Sequence, residues 1–564
     1  MGRTLTHIDL DTPDTPDAVA ATRAARDLDQ PAFVSLFDEA HVLQLAERAG
    51  DGPLRGVVFA VKDNIDVEGV PTTAACPALT TPALADATVV RRLADAGAVP
   101  IGKTNMDQFA TGLVGTRSPY GACHSVLSRD HISGGSSSGS AVAVASGVVP
   151  LALGSDTAGS GRVPAAFNAL VGMKPTRGLL SNRGLLPACP SLDCVTTLTR
   201  TVELARAAFD VLVGFDPEDP YSRAMPAIPP TGVAQQMCVL AVPAGPLDLD
   251  DAHRAAWDAA LAHAATVCRL VPVDVSPFLE AAQLLYGGPF VAERLAAFGA
   301  LLEPDGPHLD PTVRHIVLGG RGLQAADVFT SMHRLARLIA LARRTFVGAD
   351  ALLLPVTPGH PTLADVAADP VGVNSRLGTY TNMVNLLDLC AIAVPAGNRA
   401  DGLPFGVQLV APAFADRPLL ELAARWTGSS RSVADTSDER ELLAVAGAHL
   451  GGQPRNGELV TLGGRLQRRA RTADHYRMYA VPGPFPRPGL VSAGAGARIE
   501  LEIWDLPTGA VDALRPGVAP PLLFGPIELD DGSVVTGFVA DPDAVDVADD
   551  ITSFGDWRSY LATT

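Results

Sequence analysis

Short apolar runs alternate with longer amphipathic segments along most of the chain. Residues 57–61 form an unbroken apolar run that predicts a buried strand, and Lys62 stands at its end. Apolar residues spaced three and four apart predict helices at three places, residues 19–28, 42–49 and 87–98. The alternation continues to about Thr427, and it predicts an α/β layer architecture.

The pattern changes after a polar stretch at residues 429–440, which we interpret as a linker. Short strand-like segments broken by glycine and proline follow it, at residues 460–466, 479–481, 498–504, 526–529 and 534–539. Such spacing favours a small β-rich domain. The sequence therefore predicts a first domain over residues 1–428, a linker over 429–440 and a second domain over 441–564.

The composition is that of a globular protein large enough to bury a sizeable core. The chain has 564 residues, of which 47% are hydrophobic and 18% charged. Its formal charge of -18 argues against a nucleic-acid partner, because proteins that bind phosphate backbones concentrate positive charge. The seven cysteines are scattered and form no CxxC pair, which indicates reduced thiols rather than disulfides or a zinc site.

The N-terminal residues do not resemble a secretion signal. Asp9, Asp11, Asp14 and Asp17 occupy positions where such a signal needs apolar side chains. The most apolar stretch, residues 141–154, is too short to cross a bilayer. We therefore expect a cytoplasmic protein without a membrane partner.

Two loops rich in glycine and serine, residues 133–140 and 154–161, flank one apolar segment. Small residues permit tight turns and let backbone N–H groups approach a ligand closely. A serine in such a loop can act as a nucleophile, with neighbouring amides stabilising an oxyanion. The same composition is also typical of plain turns and flexible connectors, so the loops alone leave both interpretations open.

These loops, together with Val61-Lys62-Asp63-Asn64, resemble the signature of the amidase signature enzymes. The resemblance implies an α/β/α fold around a mixed sheet, with Ser160 as nucleophile, Ser136 as bridging serine after a cis peptide, and Lys62 as base. It also implies that no metal or organic cofactor is needed. The implied oxyanion hole consists of the backbone amides of Thr157, Ala158, Gly159 and Ser160.

The implied chemistry is consistent with the residue types. A serine hydroxyl is a poor nucleophile until a base removes its proton, and lysine is such a base only when it is neutral. Burial must therefore lower the pKa of Lys62, and Ser136 would pass the proton from Ser160 to it. We interpret the nearby Asp156 and Arg162 as structural.

Tyr286 and Arg294 lie eight residues apart, a spacing that would put both near one face of a helix. Gly287, Gly288 and Pro289 between them disfavour an unbroken helix, so a meeting across a turn is the alternative. An arginine in an apolar pocket is suited to bidentate binding of a carboxylate, although a solvated helix edge explains the same spacing. This segment and two others, residues 106–116 and 186–194, resemble the allophanate hydrolase branch of the family. The resemblance implies that both side chains hold allophanate, with Arg294 on its carboxylate.

The tail resembles the C-terminal domain of allophanate hydrolases at residues 447–450, 471–477, 499–504 and 550–558. That domain is similar to the γ-glutamylcyclotransferase-like barrel. The resemblance implies that it decarboxylates the first product with His449, although a lone histidine is more often packed or capping a turn. We interpret the basic run at residues 465–471 as a solvated face.

The resulting hypothesis is hydrolysis of allophanate to ammonia and carbon dioxide through an acyl-enzyme, as part of nitrogen release from urea or a triazine. We expect a homodimer, linked in function to a separate urea carboxylase. The alternatives are an amidase for a neutral amide, which would leave Arg294 without a charge to bind, and the amidase subunit of a tRNA-dependent amidotransferase. A silent binding protein does not account for Lys62, Ser136 and Ser160 together.

Overall fold

The chain divides into two compact units, Met1–Ser429 and Ser430–Thr564. The structure is a computed structural model that describes residues 18–226, 237–303, 306–428 and 440–563, the last range with short gaps at 452, 463, 482–486, 508–509, 516–517, 519, 543–544 and 546–547. All of the predicted linker except Arg440 lies outside the described residues.

One eleven-stranded sheet forms the centre of the first unit, and a two-stranded hairpin of β4 and β5 lies apart from it. Along the sheet the strands follow the order β1-β3-β2-β6-β8-β7-β12-β13-β11-β9-β10. The strands of this unit are β1 Phe33–Leu36, β2 Val58–Lys62, β3 Val99–Thr104, β4 His124–Ser125, β5 Ser128–Ile132, β6 Leu151–Asp156, β7 Val171–Lys174, β8 Cys194–Thr199, β9 Val239–Pro243, β10 Arg269–Val273, β11 Ala351–Pro355, β12 Leu389–Asn398 and β13 Pro404–Pro412.

Helices surround this sheet and supply the rest of the unit. They are α1 Ala18–Arg26, α2 Glu39–Arg48, α3 Thr88–Asp95, α4 Ser138–Ala145, α5 Arg162–Phe167, α6 Val202–Leu212, α7 Asp251–Val267, α8 Ser276–Gly287, α9 Phe290–Phe298, α10 Pro311–Leu318, α11 Ala325–Thr345, α12 Leu363–Ala368, α13 Gly372–Leu377, α14 Met383–Leu386 and α15 Asp416–Thr427. The three helices predicted from apolar spacing correspond to α1, α2 and α3.

The middle of the sheet is buried on both faces, which explains why strand β2 is a continuous apolar run up to Lys62. Every residue of β2 is buried, and β2 pairs in parallel with β3 on one side and with β6 on the other. Because parallel strands end at the same edge of a sheet, the ends of β2 and β6 bring Lys62 close to Ser155 and Asp156. Antiparallel pairs such as β6 with β8 make the sheet mixed, as predicted.

The second unit is β-rich, which also agrees with the predicted fold class. Eight strands lie in its described residues, in the order β15-β18-β14-β20-β17-β16-β21, with β19 paired to β20. The elements are β14 Arg440–Val445, α16 Asn456–Thr461, β15 Arg465–Arg471, β16 Tyr476–Val481, β17 Arg487–Ser492, β18 Glu500–Pro507, α17 Ala510–Leu514, β19 Leu522–Glu528, β20 Val534–Ala540, β21 Asp549–Asp550 and α18 Trp557–Leu561.

One predicted strand of the second unit is partly wrong. Residues 460 and 461 belong to helix α16, and the strand begins only at Arg465. Glu458 in the first turn of α16 favours the helix because its charge opposes the positive end of the helix dipole. Strand β15 is largely exposed at the edge of its sheet, so the basic run at 465–471 forms the solvated face that we expected.

The structure also shows the state of the cysteines and the length and polarity of the helices. All seven cysteines lie in described parts of the chain and are free, six of them buried and Cys238 exposed. Within the described residues, every helix is too short or too polar to span a bilayer.

Candidate active site

Lys62 ends strand β2 in the interior of the first unit, where its side chain is fully buried. Its Nζ lies 2.7 Å from Ser136 Oγ and 2.8 Å from Ser155 Oγ. Among the described residues no carboxylate comes within ion-pair distance of this amine. Burial lowers the pKa of Lys62 to about 7, against the opposing charges of Asp107 and Asp156. A neutral lysine is therefore accessible near neutral pH.

Ser136 lies in the loop between β5 and α4, directly after a cis peptide bond at Gly135–Ser136. Residues 106–116 form two backbone hydrogen bonds with this loop. The amide of Asp107 donates to the Ser136 carbonyl at 3.1 Å, and the amide of Gly135 donates to the Leu113 carbonyl at 2.9 Å. Gly134 has a φ of +72°, and a Cβ there would lie 2.9 Å from Phe167. A glycine is required at this turn by both its conformation and its surroundings.

Ser160 lies in the loop between β6 and α5. Its hydroxyl donates to the carbonyl of Gly112 at 3.4 Å, and its own carbonyl accepts the amide of Ser137 at 3.2 Å. The two serine loops are therefore in direct contact, one residue beyond Ser136. In this state the long bond to Gly112, rather than a bond to Ser136, occupies the Ser160 hydroxyl.

A buried ion pair fixes the shape of the Ser160 loop. Asp156 accepts the side chain of Arg162 at 2.9 Å, and both side chains are fully buried. The same carboxylate accepts the amides of Gly159 at 2.8 Å and Gly161 at 3.2 Å. Asp156 and Arg162 therefore hold the loop from within.

Of the four backbone amides expected to form the oxyanion hole, one is already hydrogen-bonded within the loop. The Gly159 amide already donates to Asp156, so it is less free to receive an oxyanion. The amides of Thr157, Ala158 and Ser160 have no hydrogen-bond partner in the described parts of the chain. Gly159 contributes its conformation instead, because its φ is +139° and a Cβ would lie 2.4 Å from Thr381 Oγ1.

Tyr286 and Arg294 come together across a break between two helices, the alternative that the Gly-Gly-Pro sequence favours. Helix α8 ends at Gly287 and α9 begins at Phe290. An Nη2–H of Arg294 donates to the Tyr286 hydroxyl at 3.4 Å, and the guanidinium lies 5.2 Å from the tyrosine ring centre. Arg294 is fully buried, so the alternative of a solvated helix edge is wrong.

The guanidinium of Arg294 is sparsely bound for a buried charge. Its other contact is a donation from Nη1 to Thr111 Oγ1 at 3.2 Å, and its Nε–H has no partner among the described residues. Among the residues that the structure describes, no carboxylate lies within ion-pair distance of the Arg294 guanidinium. Buried charges are costly unless paired, so this group is poised for an anion.

Four site residues received no role from sequence reasoning: Thr111, Gly112, Ser155 and Asp193. Each lies in a stretch that the resemblance had marked, residues 106–116, 154–161 or 186–194. Asp193 accepts the Thr157 hydroxyl at 2.5 Å, and burial raises the pKa of its carboxyl to about 6 against that hydrogen bond. The stretches were a usable signal, but the partners of these residues lie far away in sequence and are brought close only by the fold.

His449 belongs to the second unit, where its side chain is largely buried. Its Nε2 lies 3.1 Å from the carboxylate of Glu458, and its ring stacks on Phe538 with centres 4.8 Å apart. Glu458 also binds Arg455 at 2.7 Å. Burial lowers the pKa of His449 against the Glu458 hydrogen bond, which favours the neutral imidazole.

Family models match both units. The amidase model matches residues 22–420, and the allophanate hydrolase C-terminal domain model matches residues 441–562. Within the described residues, no group of three or more histidine, cysteine or acidic side chains is arranged to hold a metal ion.

Two kinds of known protein are among the relatives of this chain. The urea amidolyase of Saccharomyces cerevisiae is 40% identical over 561 residues, 93% of this chain and 30% of that protein. This chain thus spans about a third of the length of the urea amidolyases it matches. A glutamyl-tRNA(Gln) amidotransferase subunit from Symbiobacterium thermophilum is 37% identical, covering 69% of this chain and 86% of that protein.

Among solved structures, the allophanate hydrolase of Kluyveromyces lactis is similar over both units. It is 38% identical, the match covers 97% of each chain, and the TM-score is 0.73. The resemblance predicted from the serine loops and the tail is confirmed. The chain belongs to the amidase family, and an allophanate hydrolase C-terminal domain follows its amidase unit.

Proposed function

We propose that this chain hydrolyses allophanate, and that Arg294 binds the substrate carboxylate. The observation that supports this most is the fully buried guanidinium without a carboxylate partner among the described residues. A neutral amide would leave the guanidinium without a carboxylate in direct contact, whereas a planar carboxylate accepts two parallel N–H donors from it. The name of the Kluyveromyces lactis enzyme points to the same substrate.

The reaction starts with attack of Ser160 Oγ on the terminal amide carbonyl. To enter the relay, the Ser160 hydroxyl exchanges its long bond to the Gly112 carbonyl for one to Ser136. Ser136 passes its own proton to neutral Lys62 at 2.7 Å and receives the proton of Ser160. The new oxyanion accepts hydrogen bonds from the free amides of the Thr157–Ser160 loop.

The tetrahedral intermediate then breaks its bond to the amide nitrogen. The proton stored on Lys62 returns through Ser136 to that nitrogen, and ammonia leaves. Water attacks the resulting acyl-enzyme with Lys62 again as the final base, which frees Ser160 and releases N-carboxycarbamate.

The second unit would act on N-carboxycarbamate. Breaking one N–CO₂ bond requires a proton at nitrogen and yields carbon dioxide and carbamate, which decays to ammonia and a second carbon dioxide. His449 is our candidate for handling that proton because it is a neutral imidazole oriented by Glu458. The match of this unit to the allophanate hydrolase C-terminal domain supports a part in the same reaction.

We further propose that a urea carboxylase activity supplies the allophanate. The support is the similarity to urea amidolyase, whose name joins urea to amide cleavage. A cytoplasmic homodimer remains our prediction for the state in which this chain works.

The direct test is steady-state ammonia release from allophanate, from malonamate and from a neutral amide of similar size such as propionamide. We expect cleavage of the two carboxylates and at least about 100-fold lower kcat/KM for propionamide, the loss typical of a missing buried charge partner. Equal rates on propionamide would contradict the proposal. For the second unit, His449→Gln should slow carbon dioxide release from N-carboxycarbamate, followed by ¹³C NMR.

A further inference from the structure

Residues 186–194, which we call the bridging segment, take no part in the steps above and yet contact both ends of the substrate site. The segment leads into strand β8. Its first residue is tied to the lysine end of the site: the Leu186 amide donates to the Asn64 carbonyl at 2.8 Å, and Asn64 Nδ2 donates to Ser155 Oγ at 3.2 Å. The segment is therefore anchored two residues beyond the base itself.

One carboxylate connects this segment to the oxyanion loop. Asp193 Oδ1 accepts the Thr157 hydroxyl at 2.5 Å, and Thr157 opens the loop that ends at Ser160. Its Oδ2 accepts the amide of Ala188 at 2.8 Å and that of Cys189 at 3.1 Å. Asp193 is buried, so it joins a turn of its own segment to the loop that receives the oxyanion.

A second carboxylate connects the segment to the helix of Arg294. Glu293, the residue before the arginine, accepts the Ser191 amide at 2.7 Å and the Ser191 hydroxyl at 2.8 Å. The thiol of Cys189 also donates to the carbonyl of Phe290, the first residue of α9, at 3.6 Å. The start of α9 is thus bound to the bridging segment at two points.

The segment between these two connections is itself held firmly. The amides of Leu192 and Asp193 both donate to the Cys189 carbonyl, at 2.8 and 2.9 Å. Asn385 Nδ2 donates to the Leu192 carbonyl at 2.9 Å and to the Asp156 carbonyl at 2.7 Å. A short, internally bonded segment between two carboxylate connections behaves as a rigid spacer.

We propose that the bridging segment sets the distance between Arg294 and the oxyanion loop, with Asp193 and Glu293 as positioning residues. The chain then selects its substrates by the number of atoms between their carboxylate and the carbonyl to be cleaved. The class selected is an amide whose carboxylate is one atom away from that carbonyl. This inference rests on the proposed function, because it requires the carboxylate to bind Arg294.

The test compares three amides of one series with the complete chain: oxamate, malonamate and succinamate, which place zero, one and two atoms between carboxylate and amide carbonyl. One extra methylene displaces the carbonyl by more than about 1 Å, and a misplacement of that size costs about 100-fold in rate. We expect malonamate to exceed both neighbours in kcat/KM by about that factor.

The informative variant is Glu293→Ala, whose side chain is only half-buried, so that folding is preserved. Its matched control is Glu280→Ala on the neighbouring helix α8, where the glutamate pairs with Arg334 near the surface. In Glu293→Ala we expect the preference for malonamate over succinamate to fall to about tenfold or less, through a loss of kcat on malonamate. Glu280→Ala should keep the preference, and Ser191→Ala should fall between the two.

A merely structural role of Glu293 would lower activity on all three amides together and leave their ratio unchanged. That result, or a wild-type chain that shows no preference for malonamate, overturns the inference while allophanate hydrolysis stands. Failure to cleave both allophanate and malonamate, with a neutral amide cleaved, would instead refute the proposed function.

Discussion

Two sets of buried cations in the amidase unit have opposite surroundings. In one set, Lys62 and Arg294 contact hydroxyl groups, and neither has a carboxylate within ion-pair distance among the described residues. In the other set, Lys103 pairs with Asp63 at 3.7 Å and Arg162 with Asp156 at 2.9 Å, all fully buried.

The difference distinguishes the cations that we propose to act in the reaction from those that stabilise the fold. A buried cation with a carboxylate is neutralised and fixed, and it stabilises the arrangement around it only as long as both partners remain. A buried cation against hydroxyls either has its pKa lowered, as Lys62 does, or stays charged and can bind an anion, as we propose for Arg294. We therefore place the chemistry at Lys62 and Arg294, the two cations that contact hydroxyl groups.

The largest expected effect tests whether the unpaired groups serve a nucleophile at all. Ser160→Ala removes the hydroxyl that attacks, so ammonia release from allophanate should fall by about 10⁶-fold, as for other serine nucleophiles. The steady-state rate of ammonia release from allophanate provides the measurement. A variant with activity close to wild type would take Ser160 out of the mechanism and end the comparison.

The second prediction contrasts the two lysines directly. Lys62→Met should lower kcat by about 10⁴-fold because the final base is lost, while the thermal midpoint stays the same or rises, since a desolvated amine has been removed. Lys103→Met should act on stability instead of on kcat. It leaves the buried Asp63 carboxylate without its cation, which costs about 3–5 kcal/mol in the free energy of unfolding. The thermal midpoint from calorimetry and kcat from steady-state kinetics are measured for both variants. Equal changes in the two variants would contradict the distinction between the two lysines.

The third prediction concerns the two arginines. Arg294→Ala should raise KM for malonamate and lower kcat/KM by about 100-fold, since one charge-assisted carboxylate contact is lost. Arg294→Lys should recover little, because an ammonium cannot bind the carboxylate through two parallel N–H groups. Arg162→Lys serves as the scaffold counterpart and should act on the thermal midpoint. An unchanged KM in Arg294→Ala would contradict the carboxylate site.

The smallest effect is a pH dependence set by Lys62. The base form is the neutral amine, and its pKa is lowered to about 7, so protonation removes activity as the pH falls below that value. We expect kcat/KM on malonamate to be level above about pH 8 and to fall about tenfold per pH unit below about pH 6. A level profile from about pH 5 to about pH 8 would show that the ionisation of Lys62 does not limit the reaction.

Sequence reasoning succeeded where a pattern is local. The apolar run before Lys62, the glycines of the serine loops and the Gly-Gly-Pro break after Tyr286 each determine their own geometry, and the structure has β2, two tight loops and a break between α8 and α9 at those places. The predicted α/β class followed from the same kind of evidence.

It failed where a partner comes from elsewhere in the chain. The resemblance implied the contact of Lys62 with Ser136, but it gave Ser155 no role. Only the parallel pairing of β2 with β6 brings Ser155 to the same amine. Gly112 and Asp193 act through a carbonyl and a carboxylate whose targets are distant in sequence. The helix at 456–461 was missed because its apolar residues also fit a strand.

The cysteine distribution has a practical consequence. Burial raises the pKa of the thiols of Cys123 and Cys189 to about 12, and those of Cys76, Cys194, Cys268 and Cys390 are raised as well. Since alkylation proceeds through an accessible thiolate, maleimide reagents should single out Cys238, the exposed thiol next to strand β9. The native chain thus carries one attachment point for a fluorophore or spin label, without any cysteine having to be removed by mutagenesis.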